Sequence, residues 1–115
     1  MRNDKLSVQS MDFAVSVINL VMYLKENKEH IISNQIGRSG TSIGANIREA
    51  FFAHGKADFI AKLQIALKEC SETEYWIELI LESGYYHDKT LLDKCTEIKR
   101  ILIASLNTAK EKNDG

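Results

Sequence analysis

The third apolar segment of the chain constrains the fold more than any other feature. Its positions alternate steps of three and four residues, the spacing of one face of a helix in a bundle, with Glu74 the one charged member: Ile60, Leu63, Leu67, Cys70, Glu74, Ile77 and Leu81. The 115 residues include six glycines and no proline, which favours long helices over a turn-rich sheet. The sequence therefore predicts an all-α fold.

A helical repeat of apolar residues occurs in four segments separated by three short breaks. The predicted helices cover about residues 8–27, 33–52, 57–83 and 88–110, with Ser33 and Asp88 as N-caps and Gly84 closing the third helix. Short connections between long helices favour antiparallel neighbours. We expect residues 1–115 to form a single domain, an antiparallel up-down-up-down four-helix bundle.

Two of the predicted helices carry a second apolar stripe. In the first helix, one stripe is expected to face the core (Met11, Ala14, Ile18, Val21 and Met22), and another lies apart from it (Phe13, Val17, Leu20 and Leu24). The second stripe of the third helix consists of Ile65, Trp76, Leu79 and Ile80. These extra stripes predict a homo-oligomer, with Phe13, Trp76 and Ile80 at the subunit contact. The alternative is that each wide stripe seats two neighbouring helices of one chain.

The second predicted helix contains an unusual run of small residues, S39-G40-T41-S42-I43-G44. Because Ile36, Gly40, Ile43 and Ile47 share one face, the helical repeat continues through this run. Each glycine costs up to about 1 kcal/mol of helix stability relative to alanine. Close approach of a neighbouring helix is the expected compensation, so the run predicts a close-packing site.

Three polar residues, Asn46, Glu49 and Glu74, fall at or near positions that face the bundle. A buried polar group without a partner costs roughly 1–3 kcal/mol. We therefore expect these residues to form a structural hydrogen-bonded cluster, in which Asn46 and Glu74 meet and fix the register of the second and third helices.

The residues that most often carry chemistry do not form a recognisable site. His30, His54 and His87 each lie near an interhelical break, an arrangement that does not supply a three-ligand metal site. Cys70 and Cys95 are expected to be buried thiols, offset along their helices by roughly 9 Å and so too far apart for a disulfide. The sequence contains no phosphate-binding loop or nucleophile elbow.

We accordingly expect no metal, no cofactor, no small-molecule substrate and no enzymatic activity. The weakest alternative is an enzyme that uses Glu74 or Glu49 as an acid or base.

Charge and hydropathy limit the classes of partner. The net charge is −1, from 15 basic and 16 acidic residues, so bulk charge does not attract the chain to nucleic acid or membrane. No signal peptide is recognisable and no apolar run approaches 18 residues, which predicts a cytoplasmic protein without a membrane-spanning helix. In a symmetric ring, however, Arg38, Arg48 and Lys56 would each be repeated and would form a basic belt able to contact nucleic acid.

Several motifs together resemble a bacterial four-helix-bundle family, the 23S rRNA intervening-sequence proteins. The resemblance covers nearly the whole chain and depends on S42-I43-G44-A45-N46-I47-R48-E49-A50, the segment from Asp58 to Cys70, E74-Y75-W76-I77-E78-L79 and G84-Y85. It implies a short up-and-down bundle that assembles into a homopentameric ring. A related branch resembles the accessory subunit of diversity-generating retroelements, in which a basic pentameric barrel works with a reverse transcriptase and nucleic acid.

These observations lead to two expectations for function. The first is a non-enzymatic, oligomeric helical scaffold of the intervening-sequence family. The alternative is an accessory protein that binds structured RNA or DNA through a ring of basic residues.

Overall fold

The computed structural model describes residues 4–113, and all regular structure in that range is α-helical. The four helices are α1 (Lys5–Glu26), α2 (Ile31–Phe51), α3 (Lys56–Ser83) and α4 (Thr90–Asn113). They pack into a rod of 51 × 24 × 22 Å. All four predicted helices are present, and the expectation of an all-α fold is confirmed.

Each helix begins and ends for a local chemical reason. Asp4 caps α1 by accepting a 2.9 Å hydrogen bond from the Ser7 amide. Ser33 is not the N-cap of α2, which begins two residues earlier; instead, the Ser33 amide donates to the buried carboxylate of Glu29 at 2.9 Å. A carboxylate at this position also interacts favourably with the positive end of the helix dipole.

The start of α4 and the end of α3 follow the predicted chemistry more closely. The Asp88 carboxylate accepts a 2.9 Å hydrogen bond from the amide of Thr90, the first residue of α4, and hydrogen bonding with Thr90 lowers the pKa of Asp88. Gly84 ends α3 with φ of +84°, a left-handed conformation that glycine adopts without strain.

Each helix packs against two others. α2 lies against α1 and α3, and α4 lies against α3 and α1, while the described residues bring neither α1 close to α3 nor α2 close to α4. The shared core is formed mainly by aliphatic side chains, among them Leu24, Ile36, Ile43, Leu63, Ile77, Ile98 and Leu102.

The small-residue run of α2 contacts its two neighbours with different side chains. Positions 37, 40 and 44 approach Val21, Val17 and Ser10 of α1 respectively, in descending order along α1. Ser39, Ser42 and Glu49 meet Thr73, Glu69 and Lys62 of α3, again in descending order. The run therefore lies between α1 and α3, with its glycines toward α1 and two of its serines toward α3.

Candidate functional site

The outer face of α1 is an apolar surface that the described part of the fold leaves half exposed. It consists of five side chains at steps of three and four residues, each between 50 and 60% exposed: Val8, Met11, Val15, Ile18 and Met22. We refer to these five residues as the α1 outer face. Apolar side chains at this spacing form a continuous ridge along one side of a helix.

The structure reverses the predicted roles of the two stripes on α1. Phe13, Val17, Leu20 and Leu24 are at most 3% exposed and form the inner face, whereas Met11, Ile18 and Met22, expected in the core, point outward. Both stripes exist as the sequence predicts, but periodicity alone does not say which of two apolar stripes turns inward.

The assignment of two of the three predicted interface residues to a subunit contact is therefore wrong. Phe13 and Ile80 are both 0% exposed and belong to the core of their own chain, so neither can meet another subunit. Trp76 is partly buried, and its indole nitrogen donates to a Glu72 oxygen at 2.9 Å. Its ring meets the exposed ring of Tyr75 edge-on, with centroids 5.1 Å apart.

The outer side of α3 is the second partly apolar surface. Ile65 and Tyr75 are exposed there, with Trp76 and Leu79 half-buried beside them. Glu72 lies among these residues, so this surface mixes apolar and charged groups, unlike the α1 outer face. It lies on the helix that does not contact α1 within the bundle.

A charged network joins α2 to this side of α3. The Arg38 guanidinium forms ion pairs with Glu69, at 3.2 Å, and with Glu72. Ser42 also donates to Glu69, at 2.9 Å, so both carboxylates are engaged by more than one donor. Arg38, predicted as a nucleic-acid contact, is thus neutralised by two acidic residues of its own chain.

The other two predicted nucleic-acid contacts lie at one end of the bundle. Arg48 is in the last turn of α2 and Lys56 is the first residue of α3. Between them, at the end of α2, the ring of Phe52 is 76% exposed. Arg38 lies ten residues, or about 15 Å, from Arg48 along α2, so the structure separates it from the other two.

The predicted polar cluster of Asn46, Glu49 and Glu74 is not formed. The Asn46 amide donates to the Ser42 carbonyl in its own helix at 2.9 Å, and Glu49 forms a 3.6 Å ion pair with Lys62. Glu74 points instead to α4. The prediction failed because Asn46 satisfies its amide locally and the face of Glu74 turns away from α2.

Glu74 forms a polar link between α3 and α4. Its carboxylate accepts hydrogen bonds from Lys99 at 2.8 Å and from Thr96 at 3.0 Å. The hydrogen bond from Lys99 lowers the pKa of Glu74, and the same bond raises the pKa of Lys99. The pair thus remains ionised over a wider pH range than either group would alone.

A buried hydroxyl pair, which sequence analysis missed, links α2 to α3. Thr73 Oγ1 donates to Ser39 Oγ at 2.8 Å, and Ser39 Oγ donates on to the Gln35 carbonyl at 3.0 Å. Both residues are 0% exposed. The available signal was the position of Ser39 between core positions 36 and 43, which places a hydroxyl inside the bundle.

The two cysteines lie closer together than predicted. Their sulfur atoms are 3.7 Å apart, and both residues are buried free thiols, as expected. The predicted 9 Å offset is wrong because it assumed a tight turn at Gly84. Six residues separate α3 from α4, and this longer connection lets α4 take a position along α3 at which Cys95 is level with Cys70.

A cleft of about 400 Å³ opens between α1 and the first half of α4. Gln9 and Asp12 form one wall, and Thr90, Lys94 and Ile98 form much of the other. Lys94 bridges the cleft through a 3.0 Å ion pair with Asp12. Among the described residues, no three His, Cys, Asp or Glu side chains are grouped closely enough to hold a metal ion.

Helix α1 departs from the expectation that no segment is long and apolar enough to span a membrane. By length and composition alone it is apolar enough to cross a membrane, with a mean hydropathy of 1.3 over its best 18-residue window, of which 28% is buried. Core helices of bundles meet the same criterion, and the inner face of α1 is such a core face.

Comparison with known proteins supplies a family. The sequence model of the family described as 23S rRNA-intervening sequence protein matches residues 2–104. No curated protein matches the chain. A crystal structure of a protein of unknown function from the S23 ribosomal protein family of Bacteroides thetaiotaomicron is 48% identical and superposes with a TM-score of 0.86, over 88% of this chain and 97% of that one. The chain, with its four helices and its S42-I43-G44-A45-N46-I47-R48-E49 motif, belongs to the 23S rRNA-intervening sequence protein family.

Proposed function

We propose that this chain is a structural subunit that assembles with copies of itself into a helical scaffold. The observation that carries the proposal is the α1 outer face, with five apolar side chains at bundle spacing that the described residues leave 50 to 60% exposed. From Val8 to Met22 this ridge extends for about 21 Å. Contiguous exposed apolar surface of this kind marks sites of protein–protein contact.

A second copy is the occupant that the arrangement of helices favours. The α1 outer face and the mixed surface of α3 lie on helices that do not contact each other, so they face different directions from one bundle. Contact between α1 of one copy and α3 of the next is head-to-tail, and such contacts build rings when the rotation closes. The homopentameric ring implied by the family resemblance has this form. Exposed Tyr75 on α3 supplies an aromatic anchor for the contact.

The subunit that we infer is an up-down-up-down bundle. The first two connections have four residues each and the third has six. Four extended residues reach about 14 Å at most, whereas a 21-residue helix is about 31 Å long, so each helix must begin near the end of the one before it. The descending order of contacts between α2 and both of its neighbours supports this topology.

The proposal assigns no catalytic step to the scaffold and places it in the cytoplasm. Its support is the way in which the charged groups between helices are used. Glu74 accepts from Thr96 and Lys99, and Arg38 forms ion pairs with Glu69 and Glu72. These contacts fix helices against one another, which is a structural role.

Light scattering coupled to size-exclusion chromatography tests the scaffold. We expect a mass several times that of the 13.0 kDa chain at micromolar concentration. The double variant Val15→Glu/Ile18→Glu places two charges on the α1 outer face and should reduce the mass to one chain while the helical circular dichroism is retained. Asn107→Glu, at an exposed position of α4 away from both proposed contact surfaces, is the matched control and should assemble normally. A wild-type protein of 13 kDa would refute the proposal.

Nucleic-acid binding is a second candidate function, favoured by one observation. Exposed Phe52 lies between Arg48 and Lys56 at the connection of α2 to α3, and single-stranded nucleic acids bind where bases stack on aromatic rings beside basic groups. Electrophoretic mobility shift with structured RNA that contains single-stranded loops and with single-stranded DNA, at low and at moderate salt, tests it. Phe52→Ala and Lys56→Ala should weaken binding, whereas Arg38→Ala should not. No shift at low salt with either nucleic acid would eliminate this function.

A further inference from the structure

The two cysteines of the chain meet at the interface of α3 and α4. Cys70 Sγ and Cys95 Sγ are 3.7 Å apart, and each sulfur also lies within 3.4 to 3.5 Å of the other residue's carbonyl oxygen. The sequence contains no other cysteine, and both side chains are 0% exposed. Twenty-five positions separate them in the sequence, so only the packing of α3 against α4 brings them together.

A neighbouring polar contact keeps the two thiols opposite each other. Glu74, one turn after Cys70, binds Thr96 and Lys99, which lie one and four residues after Cys95. This contact fixes the position of α4 along α3 beside the cysteines. Sliding of α4, which would separate the sulfurs, requires these hydrogen bonds to break.

We propose that Cys70 and Cys95 are a redox-sensitive thiol pair, which a small two-electron oxidant converts into an intrachain disulfide joining α3 to α4. With hydrogen peroxide, the two thiols lose two protons and two electrons, the S–S bond forms, the O–O bond breaks and two waters are released. With oxidised glutathione, the glutathione disulfide breaks and two molecules of glutathione leave. The proposal is independent of self-assembly.

The sulfurs need to move only a short distance to bond. An S–S bond measures about 2.05 Å, so the present separation must shrink by about 1.7 Å. Rotation about χ1 of both side chains, together with a small approach of the two helices, supplies such a movement. The hydrogen bonds of the sulfurs to the opposite carbonyls show that the two backbones already approach closely at this level.

The cleft between α1 and α4 is the route by which an oxidant reaches the pair. Lys94 and Ile98, which line the cleft, lie one residue before and three residues after Cys95 on α4. Ile98 is a core residue, so the floor of the cleft is already the edge of the core. The rim is closed by the Lys94–Asp12 ion pair, and exposed pairs of this kind contribute little to stability. Outward movement of one turn of α4 therefore exposes Cys95.

This route also determines the order and the rate of the chemistry. In the closed state, the contact with Cys70 and burial raise the pKa of Cys95, which keeps its thiol protonated and unreactive. Once α4 opens, the Cys95 thiolate attacks the oxidant and becomes a sulfenic acid or a mixed disulfide. Cys70 then displaces water or glutathione from it and forms the S–S bond. Local opening is fast compared with uncatalysed thiol oxidation, so the rate of oxidation follows the population of the open state.

The test follows the thiols of the folded protein in glutathione buffers of increasing oxidised fraction. Samples are quenched with acid, alkylated in denaturant and weighed by mass spectrometry. We expect both thiols to disappear together with the loss of two hydrogens, in a product that stays a single chain on a non-reducing denaturing gel. The thermal midpoint of the oxidised form should exceed that of the reduced form and return to it with dithiothreitol.

Two variants separate the proposal from general thiol reactivity. Cys70→Ser should instead accumulate one glutathione on Cys95, because the second thiol is missing. Asp12→Asn removes the ion pair at the rim of the cleft and should accelerate disulfide formation severalfold without changing the product. Thiols that stay fully alkylatable in excess oxidised glutathione, while the urea-unfolded chain is oxidised, would overturn the proposal. Disulfides between chains, or glutathione on both cysteines, would overturn it equally.

Discussion

Val17 of α1 and Gly40 of α2 are packed so closely that a Cβ atom placed on Gly40 would lie 2.9 Å from both methyl carbons of Val17. Real Cβ atoms essentially never approach other atoms this closely. Valine is β-branched and holds one χ1 rotamer in a helix, so its methyl groups cannot turn away. Gly40 thus determines how closely α1 and α2 approach each other.

We expect the two glycines of this run to respond in opposite ways to alanine. Gly40→Ala should destabilise the fold by about 1–3 kcal/mol, since the clash with Val17 exceeds the gain in helix propensity. At Gly44 the nearest atom, Ser10 Oγ, would be 3.4 Å from the new Cβ, an ordinary contact. Gly44→Ala should therefore be neutral or stabilising by up to about 1 kcal/mol. Urea unfolding of the two variants beside the wild type measures both effects, and equal losses at the two sites would contradict this account.

Lys28 occupies a conformation that suits glycine better. Its φ is +64°, in the short connection between α1 and α2, and it is exposed. In this conformation a residue with a Cβ atom loses roughly 1–2 kcal/mol of stability. Glycine avoids that loss, but its larger loss of backbone entropy on folding offsets part of the gain. We expect Lys28→Gly to raise the free energy of unfolding by up to about 1 kcal/mol, with Lys28→Ala close to wild type. A Gly variant no more stable than the Ala variant would show that the backbone at this position carries no strain.

The hydroxyl of Thr73 should matter more than its methyl group. Thr73→Val keeps the side-chain volume but removes the hydroxyl that contacts Ser39 Oγ at 2.8 Å and the Glu69 carbonyl at 2.7 Å, which leaves buried oxygens with unused acceptor sites. The expected loss is about 1–3 kcal/mol in denaturant unfolding. Thr73→Ser keeps the hydroxyl and provides the comparison. A valine variant as stable as the wild type would assign the contact no role in joining α2 to α3.

Acid should weaken the link between α3 and α4 through Glu74. Lys99 lowers the pKa of Glu74 in the folded state, so the stabilisation is complete above the unfolded carboxyl pKa of about 4.3. It is lost as the pH falls through the lower folded value. We expect wild type to be more stable than Glu74→Gln at neutral pH and the difference to vanish in strong acid. Denaturant unfolding across that pH range measures it.

Glu78→Gln is the matched control for this experiment, since Glu78 lies one turn later on α3 and is exposed. It should leave the pH profile of stability unchanged. A difference between wild type and Glu74→Gln that stays constant into strong acid would show that the variant acts through packing and not through charge.

Helix number and approximate helix ends could be predicted from the sequence because the repeat of apolar residues records them locally. The end of α3 could be predicted at Gly84, and the close approach of a neighbouring helix could be predicted at Gly40, since glycine has few other reasons to occur there. These features each depend on a few neighbouring residues. Their prediction needs no knowledge of how the helices are arranged.

The features that depend on helix rotation and on position along a neighbour could not be predicted in the same way. Phe13 and Ile18 lie on two apolar stripes of one helix, and only the full packing decides that Phe13 turns inward. Glu74 reaches α4 and not Asn46 because α3 is rotated by a fraction of a turn from the predicted orientation. Cys95 meets Cys70 because of the length of a connection whose path the sequence does not specify.

The two apolar stripes of α1 have a consequence for the synthesis and folding of the protein. α1 emerges from the ribosome before the helices that cover its inner face, so both of its apolar stripes are exposed to water while the rest of the chain is translated. Folding then hides Phe13 and its companions but leaves Met11, Ile18 and Met22 outside. Chaperones and proteases recognise unfolded chains by exposed apolar segments of this kind. A folded but isolated copy therefore still exposes an apolar segment of the kind that chaperones and proteases recognise. Contact of another molecule with the α1 outer face would hide that segment.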